Sequence, residues 1–196
     1  MEGYWFLKDP GSTHLSDKKR LDRKAIKRKA PLKDWVKLNF DGACKRNRGD
    51  FGFGAIIRNE RGKLLYGIYG GLGFATNNEA ELRALEVGLH LCVQMGISKV
   101  IIEGDSQIII NNIIKSNFQN WKLRKWLPRI NNLLDTIGNF EINHSFKEGN
   151  RMADYLANLG VGKNVEIIIF IQIYASESII EQILKDIPDS PREGIG

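Results

Sequence analysis

The chain has few of the residues that stapled, zinc-bound or membrane-spanning proteins depend on. Two cysteines, Cys44 and Cys92, stand among 196 residues. That is too few for the disulfide framework of a small secreted domain, and it favours a reducing compartment. The longest mostly apolar run, residues 167–173 with Gln172 inside it, falls far short of the ~20 residues that cross a bilayer. The first eleven residues lack the basic-then-apolar pattern of a signal peptide. No internal repeat is visible. These absences predict an intracellular protein, nuclear or cytoplasmic, that acts as a monomer without a membrane partner.

The 42% hydrophobic content is enough for one core with tails. The formal charge of +6 is uneven: residues 1–34 carry 10 Lys and Arg against 5 Asp and Glu, whereas the rest is nearly balanced. A basic leader suits phosphate contact through counterion release, and equally a solvated, disordered tail. The expected division is a basic, disordered leader over 1–34, a domain over 35–162 and a weakly structured extension over 163–196.

From about Trp35, Lys37, Asn39 and Asp41 alternate with Val36, Leu38 and Phe40. This period of two marks a strand with one buried face. Residues 41–50 read as a Gly- and Lys/Arg-rich loop. Two further strands follow over 51–58 and 63–69, joined by the turn Asn59-Glu60-Arg61-Gly62. The period then changes to that of a helix over 78–95, apolar around most of its circumference and closed by Gly96. Its polar stripe is Glu79, Arg83, Glu86, His90 and Gln94. An apolar strand over 99–105 leads to Ser106, a helix cap. A helix follows to about residue 115, and another over 120–137 is interrupted near Pro128. A strand spans 140–146, and Asn150 is expected to cap a last helix over 151–159. Residues 165–173 suit an extra strand and 178–185 a short helix. This order predicts an α/β fold with a mixed five-stranded sheet, three antiparallel strands followed by parallel ones, flanked by helices.

Four carboxylates stand out. Asp41 ends the first strand beside a glycine. At ~100° per residue, Glu81 lines up with Leu85, Gly88 and Cys92 on the sheet-facing side of its helix, where an unpaired charge is costly. Glu79 falls instead on the solvent stripe. Asp105 sits where a parallel strand meets a helix, the end at which α/β sheets place ligands. Asp154 lies in the early turns of the last helix, next to Ala153 and Ala157 on its packed side. All four are hard oxygen donors, unaccompanied by Cys/His spacing of the zinc type. Crowded together, they would raise one another's pKa values, which divalent cations relieve. Two ions ~4 Å apart hold a water and a leaving oxygen in line on a phosphodiester.

Four stretches carry a resemblance: Phe40-Asp41-Gly42-Ala43, Thr76-Asn77-Asn78-Glu79-Ala80-Glu81-Leu82, Glu103-Gly104-Asp105-Ser106-Gln107, and residues 147–157 with Asn150 and Asp154. In this order they resemble ribonuclease H type 1, in its plant, retroelement-related branch, over about residues 35–160. The resemblance implies a ribonuclease H-like fold and hydrolysis of the RNA strand of RNA–DNA hybrids with Mg²⁺ or Mn²⁺, two ions in number. It places the metal-binding acids on Asp41, Glu81, Asp105 and Asp154. It further implies that Asn77, Asn78 and Gln107 meet the sugar edge of the hybrid, that Thr76 meets a DNA phosphate, and that Asn47 keeps an amide's role in the first loop. Asn77 and Asn78 also suit helix capping. The segment 121–126, basic between Trp121 and Trp126, lies where some members carry a substrate-binding extension.

The chain departs from the family pattern in three ways. The loop before the last helix is Lys147-Glu148-Gly149, without the histidine found in members with a longer loop, and His144 falls inside a strand. The first loop reads Lys45-Arg46-Asn47-Arg48-Gly49-Asp50 in place of Gly-Asn-Pro-Gly. No polymerase portion is recognisable, as in an orphaned or domesticated domain. The expected activity is a metal-dependent endonuclease on RNA–DNA hybrids. Two alternatives remain: a nucleic-acid-binding module of the same fold without turnover, and a transposase-like nuclease.

Overall fold

The computed structural model describes residues 31–170, except 48, 72 and 164, with backbone alone at 47 and 165–170. The basic leader over 1–30 and the expected helix over 178–185 lie outside the described residues.

The sheet is built from β1 (Val36–Cys44), β2 (Gly49–Arg58), β3 (Leu64–Gly71), β5 (Lys99–Gly104), β6 (Asn139–His144) and β7 (Val165–Phe170), with a two-residue β4 (Phe74–Ala75) on β2. The strand order is β6-β5-β1-β2-β3-β7. β2 runs antiparallel to both β1 and β3, whereas β5 is parallel to β1 and β6 to β5. The expected five-stranded mixed sheet is present. It is lengthened at the β3 edge by β7, the extra strand suggested by residues 165–173.

The helices are α1 (Asn77–Gln94), α2 (Gln107–Ile114), the short α3 (Trp121–Arg124), α4 (Leu127–Ile137) and α5 (Lys147–Gly160). α1 starts with a capping box: the Thr76 hydroxyl accepts from the Glu79 backbone while the Glu79 carboxylate accepts from the Thr76 backbone. Thr76, rather than either asparagine, caps this helix, and Glu79 completes the box instead of merely facing water. α1 ends in a Schellman turn: Gly96 at φ 66° donates to Val93, and Ile97 donates to Cys92. Ser106 caps α2 as expected.

The core lies between one sheet face and α1, and includes Leu38, Phe40, Leu82, Leu85, Leu89 and Ile102. α5 covers part of the other face, where Met152 and Leu156 pack on Ile56. The polar side of β1 is therefore buried too. Lys37 pairs with Glu103 at 2.6 Å, and Asn39 bridges Glu103 and Arg58.

Three local expectations are corrected. Residues 41–50 are mostly strand, because Ala43 and Cys44 continue to pair with Gly52 and Phe51. A 3-10 turn, Lys45–Asn47, follows β1, with Arg46 left-handed at φ 63°. Glu86, assigned to the solvent stripe of α1, is 0% exposed, since α4 packs over it and Arg83 and Arg129 pair with its carboxylate. The last helix starts at Lys147, and Phe146 at its N-cap makes no side-chain cap bond. Asn150 is therefore inside that helix.

Candidate active site

β1 and β5 pair from Val36↔Val100 to Asn39↔Glu103, and the parallel ladder stops there. β1 nevertheless continues beside β2, with Asp41 opposite Gly54. Past Asn39 the two parallel strands part, and Asp41 and Asp105 face the gap. This is the carboxyl end of the parallel strands, where α/β sheets bind ligands.

The start of α1 closes the gap from one side. A side chain at Gly42 would run into the backbone of Ala80 and Glu81, so only glycine lets the helix come this near. Glu81 is thereby brought to Asp41. α5 closes the opposite face. Asn150, 1% exposed, donates from Nδ2 to the Phe40 carbonyl at 2.8 Å and ties the helix to the residue before Asp41. β2 offers no side chain at the contact: a Cβ at Gly54 would lie 2.5 Å from the Ala153 carbonyl.

Asp41, Glu81 and Asp105 each present a carboxylate oxygen within 4.8 Å of the other two. Asp41 and Glu81 are buried and Asp105 is half-buried. Burial, followed by the charges of Asp105 and Asp154, pushes the Asp41 carboxyl up to about 8. Burial, then the charges of Asp41 and Asp105 and the closeness of the Asp41 carboxylate, hold Glu81 well above the usual carboxylate range. Asp105 is raised by burial, opposed by the cation of Lys147. Glu81 Oε2 is buried without a hydrogen-bond partner. Three hard oxygen donors, crowded against their charge and with one oxygen orphaned, fit a divalent cation.

Asp154 is not on the packed side of its helix. It is exposed, and Asn158 donates to its carboxylate at 3.0 Å. It stands at the rim, near enough for its charge to raise both Asp41 and Asp105. Asn77 is exposed and Asn78 half-buried at the first positions of α1. The Thr76 hydroxyl is engaged by Glu79. Gln107 is exposed at the start of α2 and donates to Asn111 at 2.9 Å. Asn47 ends the 3-10 turn, and its side chain lies outside the description. Trp121 is 73% exposed whereas Trp126 is buried, which divides the basic segment between surface and core.

Two residues stand closer to the acids than the sequence suggested. His144, the last residue of β6, has Nε2 3.0 Å from the Asp105 carbonyl. Lys147, read as part of a shortened loop, opens α5 and acts electrostatically on Asp105 and Glu81. Neither contact has a sequence signal, since each joins segments about forty or more residues apart.

The profile of a family described as reverse transcriptase-like matches residues 39–160, more than half of the chain. A ribonuclease H of Bordetella avium is 33% identical over 147 residues, covering 67% of this chain and 93% of that protein. An Arabidopsis thaliana protein named for ribonuclease H is 30% identical over 130 residues, covering 66% of this chain but only 21% of that longer protein. Among solved structures, ribonuclease H1 of Halobacterium salinarum superposes with a TM-score of 0.62 at 30% identity, covering 64% of this chain and 96% of that one. LC11 ribonuclease H1, solved with an RNA/DNA hybrid, superposes with a TM-score of 0.61 at 25% identity, with coverages of 64% and 96%. The strand order, the acidic gap at the end of β1 and these matches together make the chain a member of the reverse transcriptase-like, ribonuclease H-type family.

Proposed function

We propose that this chain hydrolyses the RNA strand of RNA–DNA hybrids, with Asp41, Glu81, Asp105 and Asp154 holding two divalent cations, Mg²⁺ or Mn²⁺. The observation that carries the reading is the trio Asp41, Glu81 and Asp105, whose carboxylate oxygens share one gap within 4.8 Å. Such crowding is unfavourable for the empty fold, and a counter-charge offsets it. Bound cations would activate the attacking water and offset charge on the phosphate oxygens.

The chain's own residues supply position. Asp41 is held by the Gly42 amide, which donates to its Oδ1 at 2.8 Å. Glu81, drawn against β1 by Gly42, offers its orphaned oxygen to the gap. Asn77, Asn78 and Gln107 present amides at two helix starts beside the acids, suited to sugar hydroxyls of the RNA strand. Asn47 and Thr76, near the paired Gly49 and Ala75, would meet the hybrid beside them. The support from relatives is that proteins named ribonuclease H share this fold and up to about a third of its residues.

The test is cleavage of a labelled RNA–DNA hybrid, run with Mg²⁺, with EDTA, and with Asp41→Asn. Wild type should yield fragments ending in 3′-hydroxyls only with the metal. Asp41→Asn should be at least about a hundredfold slower, the cost of losing several kcal/mol at the reacting phosphate. Cleavage by Asp41→Asn at the wild-type rate would remove the mechanism. A second reading, hybrid binding without turnover, draws on Asp154, which pairs with Asn158 at the rim instead of joining the other three acids. It requires hybrid binding with no product in either metal.

A further inference from the structure

α5 begins with two departures from the usual pattern of helix starts, although Glu148 in its first turn suits the dipole. Its N-cap position holds Phe146, which makes no side-chain cap bond, where Ser, Thr, Asp or Asn would satisfy an orphan amide. Its first residue is Lys147, a cation at the positive end of the helix dipole. Sequences that break local rules without evident structural gain do so characteristically at functional sites.

The segment is nevertheless rigidly placed. Ser145 donates from its backbone to Gly104 at 2.9 Å, and Gly149 donates to Phe146 at 2.8 Å. His144 is anchored on the Asp105 carbonyl at 3.0 Å, and the Phe146 ring meets the imidazole edge-on with centroids 5.7 Å apart. Phe146 is 63% exposed, so this ledge buries little apolar surface. An open aromatic ring and an exposed lysine thus stand beside Asp105, fixed to the strand ends that carry the acids.

We propose that His144, Phe146 and Lys147 form a preformed contact for one sugar–phosphate unit flanking the cut in the RNA strand. Phe146 packs on the sugar, His144 props the ring, and Lys147 meets the phosphate. This inference rests on the hybrid-cleaving reading and names residues which the shortened loop supplies for positioning substrate. A lysine–phosphate contact adds to salt dependence, whereas a ring–sugar contact does not.

The experiment uses Phe146→Ser and Lys147→Gln in the full chain. A fluorescein-labelled RNA–DNA hybrid is titrated in EDTA at several salt concentrations, and thermal melts and Mg²⁺-dependent cleavage are run alongside. Phe146→Ser restores a cap and should raise Tm, yet weaken hybrid binding about tenfold with an unchanged salt slope. Lys147→Gln relieves the dipole but removes the cation that offsets Asp105 and Glu81, so its melt serves only to show that it is folded. It should reduce the slope of log affinity against log salt by about one. Phe146→Tyr should keep wild-type affinity. If wild type cuts the hybrid while Phe146→Ser and Lys147→Gln bind like wild type, this contact is overturned and the nuclease reading stands. If wild type neither binds nor cuts the hybrid, both fall.

Discussion

Asp41 carries a charge that its surroundings oppose from several directions: burial, Asp105 and Asp154 all favour its protonated form. Without metal, Asp41→Asn keeps the shape of the side chain and removes that conflict, so its fold should melt no lower than wild type while cleavage is lost. Asn150 is the contrasting residue, a buried neutral amide that ties a helix to the acidic strand. It spends one donor on the Phe40 carbonyl, next to Asp41. Asn150→Ala leaves that carbonyl buried without its partner, which should cost about 1–3 kcal/mol in urea unfolding. Cleavage should fall as well, because the tie between α5 and the acidic strand is gone. Unchanged stability would show that the bond contributes nothing net.

The site depends on two helices pressed against the sheet at glycines. α1 touches β1 at Gly42, and α5 touches β2 at Gly52 and Gly54. At Gly54 an added methyl would meet helix backbone, which cannot swing aside as a flexible side chain would. Gly54→Ala should therefore lift α5 and lower stability by about 1–3 kcal/mol, the usual cost of overpacking. Because Asp154 rides on α5, cleavage should drop further than stability alone explains, as measured at a temperature where the variant remains folded. Glu86 shows the same dependence on packing. A helical wheel places it on the outer stripe with His90 and Gln94, but α4 crosses that stripe and encloses it with Arg83 and Arg129.

At the scale of the molecule, the acidic gap couples folding to pH and to metal. Asp41 ionises at about 8 in the folded chain, against an ordinary value of about 4 for the unfolded one. Between those limits the folded state retains a proton that the unfolded state has released. Raising pH therefore favours unfolding. Glu81 and Asp105 are shifted in the same direction. In EDTA, Tm should fall as pH rises from about 5 to about 8, and Asp41→Asn should flatten that slope. Mg²⁺ at about a hundred times its Kd should restore roughly 2.7 kcal/mol near pH 8. A metal-free Tm that climbs across this interval would contradict the burial of these carboxylates.

The alternation about Phe40, the apolar circumference of α1, the cap at Ser106 and the four acidic motifs were legible in the chain, because each is a local pattern with a local cause. Even Glu81 could be chosen over Glu79, since the helical angle alone separates the two. What neighbours decide was not legible. Asp41 to Cys44 read as loop because glycine and charge outweigh a strand pairing that only β2 supplies. Asn150 read as a cap because nothing nearby reveals that its amide reaches a carbonyl 110 residues away. Asp154 read as packed, yet it stands at the rim. His144 and Lys147 joined the acids only through the parallel register of β5 with β6. Composition and periodicity determined which elements form and which face of each is apolar. The distances between acids belong to the tertiary structure alone, because they depend on how closely separate elements approach one another.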